Sequence, residues 1–251
     1  PKGYWPVYKG ESFDIWNPDT GKYYAWADPN EIMEHLQKKR ERGHKNKRSA
    51  FHEFSKDWIE DRRTLPCLHP RIAFRDVTNR TNQRTVIVSV VPPEVVITNK
   101  GPYLLWPKGS TPDQAYVLGI MSSLIFDWYS RRFVEEALNF YLFNSFPVPR
   151  ASTDGVLSMQ IVELAGRLAC PDKRFAAFAR VVGVKYGQLK DDEKEDMVHE
   201  LDAVVAHLYG LNQKQLTHIF ETFHEGWDYE DRLRATLKHF KEWKKKLWIT
   251  E

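Results

Sequence analysis

The chain is poor in the features that would announce a chemistry. Only two of its 251 residues are cysteine. Cys67 and Cys170 stand in no metal-ligand spacing and are too few for a disulfide framework, which fits a reducing cytoplasm. Long apolar runs are missing as well. The longest, Tyr116 to Tyr129, is broken by Gly119, Ser122, Ser123 and Asp127 and is too short to span a bilayer, so a soluble, cytoplasmic protein with no membrane partner is expected. No signal peptide is expected ahead of the fold, and the opening at Pro1 reads as the end of an excised fragment. The formal net charge is only +3, which excludes a general polycation, so any nucleic-acid site has to come from local clustering.

Catalytic signatures are equally scarce. No glycine-rich phosphate loop follows a strand, and no paired His/Glu spacing on a helix would hold zinc. Cys67 and His69 sit beside Pro66 and Pro70, but two potential ligands without a second pair read as plain loop residues. His199 and His207 lie two helical turns apart, too far to share a metal directly. Glu242-Trp243-Lys244 resembles a fragment of a nuclease Glu-x-Lys signature, yet it falls on a Lys-rich helix and reads as a solvated face. The acidic run Asp191 to Asp196 complements a helix N-terminus. No catalytic residue and no metal ligand is assigned.

What the chain does have is apolar mass, 42% hydrophobic and 14% aromatic, enough for a full core and two subdomains. It also has clustered cations. Trp5, Trp16, Trp26, Trp58, Trp106 and Trp128 read as core rather than as base-stacking platforms. Lys38 to Arg48 holds seven Lys or Arg against one Glu, a local +6, at a helix end and in the following loop. The stretch Arg71 to Pro93 sets arginines around a polar turn between two β-rich runs and reads as a hairpin with a buried second strand. Arg75, Arg80 and Arg84 bracket Thr78, Asn79, Thr81, Asn82 and Gln83. These are fork-shaped donors suited to phosphate oxygens or guanine edges. An ordinary polar hairpin with solvated arginines reads the same residues without a ligand.

The pattern predicts an α+β fold: a mixed, mainly antiparallel-sheet subdomain over residues 1–150 and a helical one over 151–251. Short strands are expected at Phe13 to Ile15 and Tyr23 to Trp26. A helix capped by Asp28 with Pro29 in its first turn should end at Gly43. Val95 to Thr98 and Tyr103 to Trp106 read as further strands, Thr111-Pro112-Asp113-Gln114 opens a core helix reaching Trp128, and Asn139 to Phe143 reads as a strand. Phe146-Pro147-Val148-Pro149 is the expected boundary. Helices follow at 156–169, 173–182, 191–209, 213–223 and 229–247, with Gly210 as a stop signal.

The order of segments carries a resemblance. Val7-Tyr8-Lys9-Gly10-Glu11-Ser12-Phe13, then Arg71-Ile72-Ala73-Phe74-Arg75-Asp76, then Thr81-Asn82-Gln83-Arg84-Thr85 with an apolar strand and Pro92, resembles the C-terminal target-recognition region of DNA adenine methyltransferases in fused type II restriction-modification enzymes. Tyr116 to Ser123, Phe146 to Pro149 and Leu201 to Leu211 resemble the helix, the proline exit and the helical tail that follow in that family. The family's cofactor-binding glycine motif and its Asn/Asp-Pro-Pro-aromatic motif have no counterpart, since Val91-Pro92-Pro93-Glu94 lacks both the amide or acid and the aromatic.

The resemblance implies a double-stranded DNA specificity module with no cofactor of its own. S-adenosylmethionine and Mg²⁺ would belong to the parent enzyme, and the methyltransferase or nuclease portion of the same polypeptide or complex would be its partner. Lys38, Lys39, Arg40, Lys45, Lys47 and Arg48 are then expected on phosphates. The hairpin set, Arg71, Arg75, Arg80, Asn82 and Arg84, is expected on DNA, with Arg75, Arg80, Asn82 and Arg84 able to read base edges. The placement of Asn82, Arg84 and Thr85 at a strand entrance equally suits locking the turn. Two other readings stay open: a nuclease domain with a dispersed acidic cluster, and a docking fragment of a DNA-processing complex.

Overall fold

The structure is a computed structural model that describes residues 2–150 and 155–250. It is α+β: small, mainly antiparallel sheets come early and helices fill the C-terminal part. Two compact units account for the chain, one made of Pro1–Asp76 with Val88–Ser110, the other of Val77–Ile87 with Thr111–Glu251.

The first unit holds both sheets. Strand β1 (Trp5–Tyr8) is central to a three-stranded sheet, antiparallel to β2 (Ala25–Ala27) and parallel to β5 (Val96–Ile97). Helix α1 (Pro29–His44) starts where expected: the Asp28 carboxylate accepts from the Asn30 and Glu31 amides at 2.9 and 3.1 Å, and Pro29 takes a position whose missing N–H is no loss. The helix passes Gly43 by one residue. A short helix α2 (Lys56–Glu60), capped by Ser55, follows. Strands β3 (Arg71–Phe74) and β4 (Val88–Val91) pair antiparallel in the register Arg71↔Val91 to Phe74↔Val88, so the expected hairpin forms. Both of its strands are buried, where alternation had pointed to one exposed face. Tyr8, Phe13, Ala73, Val91 and Val95 form the core beneath.

The second unit is helical. Helix α3 (Thr111–Ser122) stops at Ser123, whose hydroxyl accepts from the Phe126 amide and caps a separate helix α4 (Leu124–Ser130). The single helix expected to reach Trp128 is therefore two. After α5 (Phe140–Phe143) come α6 (Val156–Leu168), α7 (Ala176–Val182), α8 (Asp191–Leu208), α9 (Gln213–Glu221) and α10 (Glu230–Thr250). Helix α3 packs on α6, α6 on α8, and α8 on α10. Gly210, at φ 68°, occupies the left-handed region after α8 that a side chain would strain.

Four local expectations are corrected. Asn139 to Phe143 is no strand: Asn139 caps the turn that becomes α5 by accepting from the Leu142 amide. Tyr103 to Trp106 is no strand either, and only a single bridge joins Tyr103 to Ala73. Phe13 to Ile15 forms a turn bridged between Asp14 and Asn17, and Trp26 is 44% exposed rather than core. Apart from these four, the expected boundary after residue 150 falls at residues 151–154, outside the described residues.

Candidate nucleic-acid interface

Helix α1 is amphipathic, and its inner face decides which of its cations stay free. Gln37 and Arg40 turn inward, where Gln37 donates to the Ile59 carbonyl at 2.9 Å. Arg40 is 1% exposed; its guanidinium donates to Thr64 Oγ1 at 2.8 Å and to the Asp61 carbonyl at 2.7 Å and lies over the Trp58 ring. The expectation that Arg40 faces a phosphate is corrected by that burial. Lys38 is exposed but paired with Glu34 one turn back. Lys39, Lys45, Lys47 and Arg48 are exposed, and among the described residues none of their side chains is held by an ion pair or hydrogen bond. The loop that carries the last three is shaped by backbone and polar contacts instead: Asn46 N donates to the Gly43 carbonyl, and Asn46 Oδ1 accepts from Arg48 N at 3.0 Å.

In the hairpin the arginines separate by depth. Arg71 is 5% exposed and donates to the Val95 carbonyl at 2.7 Å, so its expected place on DNA is also corrected. Arg75, at the end of β3, donates to the Phe13 carbonyl at 2.6 Å and to Asp14 Oδ2 at 3.1 Å, which fastens it to the turn after residue 12. The tip, residues 77–87, belongs to the helical unit. There Arg80 is exposed and unpaired.

The rest of the tip is built around one carboxylate. Asp127, fully buried on α4, accepts from Arg84 Nε, from the Thr85 amide at 3.1 Å and from the Val86 amide at 3.3 Å. Arg84 also donates to the carbonyls of Ser122 and Ser123, just where α3 breaks. Arg131, one turn after Asp127, donates to Thr85 Oγ1 at 3.1 Å and to the carbonyls of Asn82 and Phe223 while stacking over the Phe223 ring. Asn82 keeps an exposed side chain, with a long 3.4 Å bond to Thr78 Oγ1. Thr85 and Arg84 are thus committed to the turn. Sequence reasoning missed Asp127 and Arg131 as their anchors, although a lone carboxylate inside an otherwise apolar helical run was a legible signal.

Other groups with chemical potential lie elsewhere or are spent. Burial pushes the Cys170 thiol up to about 12 and raises Cys67 as well, which suits structural rather than nucleophilic cysteines. Asp202, on α8, accepts from the Leu124 amide and from Arg232, both at 2.7 Å. Among the described residues, no group of three or more His, Cys, Asp or Glu is placed to hold a metal ion, and no helix is long and apolar enough to cross a membrane. Compared with known protein families and with curated proteins, the chain matches none.

Proposed function

We propose that the chain is a sequence-specific double-stranded DNA-binding module of a restriction-modification enzyme or DNA adenine methyltransferase. The carrying observation is the run Lys39, Lys45, Lys47 and Arg48: four exposed cations that no intramolecular partner neutralises, in a chain whose overall charge is close to balanced. Free cations of this kind are available to phosphates, and they supply register and salt-dependent affinity rather than sequence reading. Arg80, exposed on a tip whose backbone is fixed from behind by Asp127 and Arg131, is the side chain best suited to a base edge. A fixed backbone places a fork-shaped donor reproducibly, and the ordered resemblance supplies the kind of enzyme such a module would serve. Arg84 and Thr85 act by shaping the tip, and Arg75 by fastening its first strand.

The test is a titration of labelled duplexes at two salt concentrations. Replacing Lys45, Lys47 and Arg48 together by glutamine should weaken binding for all duplexes and flatten the salt dependence by about 0.9 in log–log slope for each phosphate left without its cation. Arg80→Ala should instead erode discrimination by about 1–3 kcal/mol at one base pair. Affinity that ignores salt, or is untouched by the triple replacement, would overturn the phosphate assignment. Cleavage of plasmid DNA with Mg²⁺ would favour the nuclease reading.

A further inference from the structure

The two arginines withdrawn from the surface meet again inside the first unit. Arg40 and Arg71 line one pocket of about 190 Å³, together with Leu36, Lys39, Cys67 and Tyr103. That is well above the roughly 10–15 Å³ a single water needs. Arg40 reaches it from α1, Arg71 from the first residue of β3, and Tyr103 from the loop that follows β5, with the Arg71 guanidinium over the Tyr103 ring at 5.2 Å.

The electrostatics of this pocket are lopsided. Neither buried guanidinium has a carboxylate partner among the described residues: Asp61 gives Arg40 only its backbone carbonyl and turns its carboxylate to Arg63. Arg71 is held by the carbonyls of Val95 and His69 alone. Both also keep a buried Nε–H with no acceptor. Burying one guanidinium without a counter-charge is costly, and most buried charges in proteins are paired. Two among the residues that line one cavity, with the exposed Lys39 a third, concentrate positive charge around it without a carboxylate to balance it. Burial accordingly lowers the pKa of both arginines, the direction that an anion in the pocket would reverse.

We propose that this pocket binds a phosphate-type oxyanion, for which Arg40, Arg71 and Lys39 among its lining residues supply the positive charge. Guanidinium forks match the tetrahedral oxygens of such a group, and the cavity leaves room for an ester substituent. Because both arginines are withdrawn from the surface that a duplex backbone could meet, the ligand class is a free phosphoryl compound. The proposal stands apart from the DNA reading, because loss of duplex binding would leave binding of orthophosphate intact.

The experiment follows the melting temperature and the ³¹P line width of orthophosphate with the full chain, against chloride at matched ionic strength. A saturable rise in melting temperature and a broadened line with phosphate, absent with chloride, are expected, with affinity weakened by about tenfold or more in Arg71→Gln. Equal responses to both salts, or an unchanged phosphate response in that variant, would overturn the proposal. Should Arg71→Gln fail to fold, Leu36→Trp keeps both arginines and fills the pocket; it should abolish the response, and a full response there would overturn the proposal. Adding a short duplex tests the ligand class. Independent binding of the two is expected of a free phosphoryl compound in the pocket, and displacement of orthophosphate by the duplex would overturn the assignment to these buried arginines.

Discussion

Asp127 shows how much one side chain can organise. Its carboxylate is fully buried, and it takes Arg84 and two backbone amides from the tip of the hairpin, so removing it strands a charge and two donors at once. Asp127→Ala should cost about 3–5 kcal/mol in urea unfolding, with amide exchange rising across residues 77–87; slow exchange there would show that the tip does not depend on this carboxylate. His207 gives a pH-dependent counterpart. Its ring stacks on Phe240 at 3.9 Å and its Nε2–H donates to the Phe240 carbonyl, and burial first of all, with Lys244 adding, holds its pKa below the usual imidazole value near 6.5. The unfolded chain therefore takes up this proton first as pH falls. Binding more protons when unfolded means stability drops as pH falls through about 6.5. His207→Phe keeps the stack and loses the titration, so its stability deficit relative to the parent should shrink between about pH 7.5 and 5.5; a constant or growing deficit would refute this. The residue types at these positions were legible, but their roles were not. Nothing local in the sequence says that Arg84 finds Asp127 forty-three positions away, or that Arg40 points inward from a helix end that looks uniformly basic.

The helical packing makes a sharper demand on one small residue. Gly119 lies inside α3, where helix propensity alone would favour alanine by about 1 kcal/mol. A Cβ there would sit 2.6 Å from Ile161 Cγ2 and 3.1 Å from Ala165 Cβ, both on α6, and 3.4 Å from Leu201 Cδ1 on α8. Gly119→Ala should therefore lower stability by about 1–3 kcal/mol in spite of the propensity gain, measured by thermal or urea unfolding. A stabilised variant would mean that α6 can move away at little cost. Elements with strong local signals were legible in the sequence: Asp28 and Pro29 start α1, the apolar periods of α6, α8 and α9 place them within one or two residues, and the two apolar runs pair as β3 and β4. The misread elements are short. Asn139 to Phe143 offers three aromatics and a leucine in a row, yet one capping bond to Asn139 turns them into a helical turn. Ser123 likewise divides one helical period into α3 and α4 by capping α4, which periodicity alone does not reveal.

At the scale of the whole molecule, a net charge of +3 hides two basic concentrations, seven Lys or Arg over residues 38–48 and the four lysines Lys241, Lys244, Lys245 and Lys246 on the last helix. They differ in where their cations go. On α10 the lysines line a solvated helix whose aromatic neighbours engage two of them, Lys246 over Trp243 at 4.2 Å and Lys244 over Trp248 at 6.0 Å. In the first unit Lys45, Lys47 and Arg48 sit on a loop with no such partners. If duplex affinity followed total charge, neutralising either cluster would weaken it alike. If the loop after α1 is the surface that meets DNA, the outcome differs: glutamine at Lys241, Lys244 and Lys245 should leave the salt slope of duplex binding within error, whereas the same number of replacements at Lys45, Lys47 and Arg48 should flatten it, by about 2–3 in log–log slope if each cation meets one phosphate. Measuring both triple variants side by side also controls for net charge, since each loses three cations. Equal flattening in the two would mean that the protein's overall field draws DNA in, and that the loop after α1 has no privileged place on it.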